Sequence, residues 1–155
     1  MNLIAQIASL LLGLLGGALL LLALAFVPYW QSLDPLEFTQ WFAANLHFIA
    51  DAMMPIGFSA TGITLLATGL AVWKHLPTRR WLVAASVITL CMFGTFPIYF
   101  SGANAALAEG AMSAAEASEQ LAQWQGVHWF RTVAAIAACF CAISAGYVKT
   151  GINPS

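Results

Sequence analysis

Gln123-Trp124-Gln125-Gly126-Val127-His128-Trp129-Phe130-Arg131-Thr132 runs without a break into an apolar stretch over 133–148. A histidine and an arginine therefore stand where a hydrophobic helix begins. A charge facing lipid is expensive, so an arginine at such a place faces a bundle interior or a wet cavity and needs a partner. The reading of this stretch decides whether the chain is a set of membrane helices around a polar site.

The composition agrees with a membrane protein. Of 155 residues, 61% are hydrophobic and 7% charged, against about 25% charged in an ordinary soluble domain. The mean hydropathy is +0.85. A net charge of -1 provides no electrostatic footprint for nucleic acid, so such binding is excluded as a main role. Cys91, Cys139 and Cys141 lie inside apolar runs with no C-x-x-C spacing, and they read as small apolar fillers.

Working outward, four spans are expected, at about 3–27, 46–73, 81–100 and 126–148, in a single transmembrane domain. The first is an uncharged run of about 25 residues, enough to cross a bilayer. No Lys or Arg precedes it, and its apolar core is too long for a signal peptide, so it reads as a retained helix. Gly13 and Gly17 form a G-x-x-x-G that allows close helix approach. That face is a candidate for homo-oligomer contact. Pro28-Tyr29-Trp30 is expected to end the run with an interfacial aromatic belt.

Asp34-Pro35-Leu36-Glu37 starts the second helix: a cap, a first-turn proline and an acid at the capping-box position. Pro55 and Gly57 fall inside that helix, a place for a kink. Lys74 to Arg80 is a short basic loop holding three of the five Lys and Arg residues. The third span contains Pro97. Ser113-Ala114-Ala115-Glu116 is a second capping-box pattern, and a helical segment over about 113–125 is expected to continue into the fourth span.

Cations fix the expected orientation. Four of the five lie in the middle loop or at the C-terminal end, and the first and third loops carry only acids. The positive-inside rule then puts both termini in the cytoplasm. The architecture expected is an all-α, polytopic four-helix bundle in the inner membrane, with any site facing the extracytoplasmic side.

On that topology the second and fourth spans enter from the same side. His47 and Asp51 are four residues apart and share a face, as do His128 and Arg131 at three. Asp51 is the expected ion-pair partner of Arg131. Asn104, Tyr99, Trp41 and Trp124 lie at the same level. Purely structural readings stand beside this. An Asp51–Arg131 pair can serve only to fix helix register, His47 can bond a nearby carbonyl, and Trp41, Trp124, Trp129, Tyr29 and Trp30 can be interfacial anchors.

Arg80-Trp81 opens the third span, Phe96-Pro97-Ile98-Tyr99 is followed by Asn104, and the third loop is acidic and helical. Trp124-x-x-x-His128-x-x-Arg131 is the most specific pattern. With the first loop over 33–42, these pieces resemble the anthrone oxygenase-like membrane proteins, a four-helix family. The resemblance implies a fold of this kind and an oxidation of anthrones to anthraquinones by molecular oxygen without a tightly bound cofactor. It also implies that Asn104, Trp124, His128 and Arg131 line the site. The chain departs from the family at Gly102-Ala103-Asn104, where a Pro-Thr-Asn-type turn is common.

Three functions follow as expectations. The first is an oxidoreductase acting on a small lipid-soluble aromatic or quinol-type substrate in an outer-leaflet pocket. His128 is then the base, Arg131 and Asn104 stabilise a phenolate-type oxygen, and Trp41, Tyr99 and Trp124 contact the ring. The second is a haem b or metal site held by His47 and His128 from separate helices. The third is a non-catalytic membrane subunit or chaperone.

Overall fold

A computed structural model describes residues 3–148. Four helices account for nearly all of them: α1 (Leu3–Ser32), α2 (Pro35–Trp73), α3 (Arg79–Glu109) and α4 (Ala114–Tyr147). No strand occurs among the described residues. All four are long and apolar enough to cross a membrane, and the chain is a multi-pass membrane protein. α1 packs on α2 and α4, and α3 packs on α2 and α4, so the helices form a square in chain order.

At a rise of about 1.5 Å per residue, helices of 30 to 39 residues exceed the roughly 30 Å hydrocarbon core. The surplus gathers at the end that holds the α1–α2 and α3–α4 turns. Both helix starts there are capped. The Asp34 carboxylate accepts from the Leu36 N–H at 2.9 Å. Ser113 and Glu116 form a reciprocal capping box: the Ser113 N–H donates to Glu116 Oε2 at 2.7 Å, and the Glu116 N–H to Ser113 Oγ at 3.3 Å. Gly110 ends α3 at φ 63°, a left-handed cap that suits glycine.

Two helices continue past the expected stops. Pro28 does not end α1. The ring of a proline clashes with the carbonyl four residues back and removes an N–H, and the widened π-turn at Leu22–Phe26 accommodates it. α1 then continues through Val27–Ser32. Pro97 likewise lies in a π-turn, Phe96–Phe100, and α3 continues through Asn104 to Glu109. α2 is unbroken through Pro55.

The core has three levels. Near the α2–α3 turn it is mostly alanine, with Ala5, Ala8, Ala67, Ala71 and Ala145 around Leu82. In the middle Leu12, Leu15 and Leu19 meet Ala60, Ala85, Ala135 and Ala138. Small residues let these helices approach closely where lipid offers no hydrophobic drive. Several buried hydroxyls bond back to carbonyls four residues earlier, as Thr64 to Ala60 and Thr89 to Ala85, and among the described residues no buried hydroxyl is left without a partner. The far level is aromatic: Trp30, Phe38, Phe42, Phe100 and Trp124.

The glycines allow a close helix approach within the chain. A Cβ on Gly16 would lie 3.4 Å from Ile136 Cγ1, and one on Gly13 3.5 Å from Cys139 Sγ. Gly13 and Gly16 thus bring α1 against α4 of the same chain. A Cβ on Gly17 would meet nothing within 4 Å. Gly13 and Gly17 are both exposed, and of the two only Gly13 would bring a Cβ within 4 Å of α4. Trp30 is not an interfacial anchor, being 1% exposed. The three cysteines are free thiols.

Candidate functional site

α4 delivers the central residues. Trp124, His128 and Arg131, spaced four and three residues apart, fall on one face. His128 is 1% exposed, and its ring stacks on Trp124 at 4.7 Å between centroids and 18° between planes. His128 Nε2 lies 3.0 Å from the Leu19 carbonyl of α1. A carbonyl can only accept, so Nε2–H donates. In the neutral ring Nδ1 then holds the lone pair. Nδ1 is buried and has no hydrogen-bond partner.

The Trp124 indole N–H donates to Asn104 Oδ1 at 2.9 Å. This orients the Asn104 amide so that its N–H donors remain for other use. Asn104 reaches this position because α3 stays helical beyond the Pro97 π-turn. The Gly102-Ala103-Asn104 segment is helix rather than a turn.

Arg131 differs from the expectation. Its guanidinium lies over the Phe100 ring, 4.5 Å from the centroid, a cation–π contact. Its Nε is buried without a hydrogen-bond partner, and among the described residues no carboxylate pairs with it. Asp51 is exposed and does not line the cavity that Arg131 lines. The reason lies in the register of α2. Leu46, Ile49, Ala50, Met53 and Gly57 turn inward. His47 and Asp51 share a face as expected, but it is the neighbouring, outward one. His47 is exposed, with its ring 3.8 Å from that of Phe48.

His47 thus does not line the cavity that His128 lines. Among the described residues no group of three His, Cys, Asp or Glu side chains gathers as a metal-ligand set. Trp41 and Tyr99 also fall outside the cavity. Trp41 packs among Phe26, Tyr29 and Trp30, and the Tyr99 hydroxyl accepts from Gln120 Nε2 at 3.3 Å.

What remains is a cavity of about 180 Å³ between all four helices, lined by Asn104, Trp124, His128 and Arg131 at its polar end. Leu15, Leu19, Met53, Gly57 and Met92 line the apolar remainder. The four expected polar residues at positions 104, 124, 128 and 131 converge; those at 41, 47, 51 and 99 do not. Sequence reasoning missed the Leu19 carbonyl, which is backbone and carries no residue-type signal. It also missed Phe100, whose role depends on the π-turn that aims it. Comparison of the chain with protein-family models, with curated proteins and with solved structures returns no match.

Proposed function

We propose that this membrane protein is an oxidoreductase of the anthrone oxygenase-like kind, acting on a lipophilic phenolic or anthrone-type substrate in the four-helix cavity. The observation that supports this reading most is the state of His128. Its N–H is held by the Leu19 carbonyl, so the bare Nδ1 lone pair is a base without a partner, in the same cavity as an arginine without a carboxylate.

His128 Nδ1 takes a proton from the activated carbon or hydroxyl of the substrate. Arg131 and the Asn104 N–H donors face the oxygen on which negative charge develops. For an anthrone the resulting carbanion donates its electron pair to molecular oxygen, forming a C–O bond to a peroxide that takes up the proton. Loss of the second proton from that carbon breaks the O–O bond. Hydroxide leaves and is protonated, so a CH₂ group and O₂ become a carbonyl and water. Trp124 keeps His128 in its ring orientation by stacking. The cation distribution along the chain supports placing this cavity in the outer half of the inner membrane.

The test is oxygen uptake by the purified protein in lipid nanodiscs with anthrone as substrate. His128→Ala is expected to abolish uptake. Arg131→Gln is expected to lower it about 10²–10³-fold, the usual effect of removing an oxyanion donor. Both variants should retain the wild-type helical signal by circular dichroism. A His128→Ala protein that turns over at the wild-type rate removes the base from the mechanism.

A further inference from the structure

The cavity is walled by buried residues on most sides and by exposed ones on one. At the end near the α1–α2 and α3–α4 turns, Trp30, Phe38, Phe42 and Phe100 are at most 1% exposed and Trp124 5%. Their rings pack edge to face at 5.3–5.6 Å, as in Trp30–Phe42, Phe38–Phe42 and Phe100–Trp124. Below the cavity Leu12, Ala60 and Ala138 are fully buried. On the α1 and α4 sides the walls are buried too, at Leu15, Leu19 and His128. On the α2–α3 side the lining residues are themselves surface residues: Met54 is 43% exposed, Phe58 55% and Phe96 39%. The rim of the cavity therefore lies between α2 and α3, on the face that meets the acyl chains.

Size adds a second constraint. A cavity of about 180 Å³ is below the roughly 300–1,000 Å³ of sites that enclose a whole drug-sized ligand. A ring can occupy it beside Arg131, while any long substituent has to leave through the rim. The inner end offers a cation and amide donors, and the outer end only Met and Phe side chains. That polarity gradient fits an amphiphile lying across the cavity, head inward.

We infer that the cavity is loaded from within the bilayer, between Met54 and Phe58 of α2 and Phe96 of α3, and that its ligand is a long-tailed phenol or hydroquinone. The ring oxygen sits at Arg131, and the alkyl or isoprenoid tail stays in the lipid between the two helices. Phe58 and Phe93 meet edge to face with ring centroids 5.3 Å apart and form the floor of that passage. This rests on the reading of the His128–Arg131 end as a substrate site and adds the route and the tail.

The probe is a hydroquinone bearing a decyl chain with a terminal diazirine, photolysed with the protein in nanodiscs and mapped by peptide mass spectrometry. Adducts competed by excess decylhydroquinone are expected on residues 53–58 and 93–96. Met54→Trp and, as a second rim variant, Phe58→Trp should each lower that labelling about tenfold, the scale of one overpacked contact. Both positions face lipid, so the fold tolerates them. Competed adducts on residues 30–42 instead would show access through the aromatic end and overturn the lateral route, leaving the substrate site standing. Absence of any competed adduct while anthrone uptake remains dependent on His128 overturns the tail and the route alone. Absence of both overturns the site with them.

Discussion

At the scale of single residues, the demand for a partner at Arg131 was readable from sequence, and the identity of the partner was not. Asp51 has the right depth and the right sign, but helical register turns it outward, and Phe100 takes the guanidinium instead. This gives a direct stability prediction. Breaking a buried ion pair costs about 3–5 kcal/mol, whereas an exposed substitution without partners stays within about 0.5 kcal/mol. Asp51→Asn is therefore expected to melt within a degree or so of wild type in detergent, and a large drop would show that the carboxylate is paired. His128 shows the same limit from the other side. Its place beside Trp124 follows from i, i+4 spacing. Its tautomer is decided by a backbone carbonyl more than a hundred residues away, which no local pattern encodes.

At the scale of elements, the four helices were legible because apolar length and caps are local properties. The Ser113–Glu116 box and the Asp34 cap form as their spacing implies. Helix continues beyond the span limits expected at about 27 and 100, because a span limit marks where apolar residues give out and a proline stops a helix only where the ladder cannot widen. In both α1 and α3 a π-turn keeps the helix going, and that continuation brings Trp30 and Asn104 into the interior. Glycine spacing was similarly ambiguous. Gly13-x-x-x-Gly17 reads as a motif, but the contact with α4 is made by Gly13 and Gly16. Gly16→Leu is expected to destabilise by about 1–3 kcal/mol through overpacking against Ile136. Gly17→Leu, which enters open space, should be neutral. Thermal denaturation in the same detergent separates the two, and equal losses would show that the Gly17 face is also packed.

At the scale of the whole molecule, orientation is set by where cations fall, a property of composition that side-chain packing does not display. In a variant lacking the three native cysteines, Ala111→Cys, at an exposed position of the α3–α4 turn, is expected to react with a membrane-impermeant maleimide on intact cells. Pro77→Cys should react only after permeabilisation, and the reverse pattern would invert the topology. The aromatic closure described above has one more consequence, for kinetics. On the lateral route and the activity proposed above, the pocket responds to the mole fraction of substrate in the membrane, not to its molarity in the tube. Adding inert phospholipid at constant total substrate should therefore slow turnover in proportion to the dilution, and the apparent KM should be constant only when expressed per lipid. An unchanged rate on such dilution would mean that the substrate arrives through water after all.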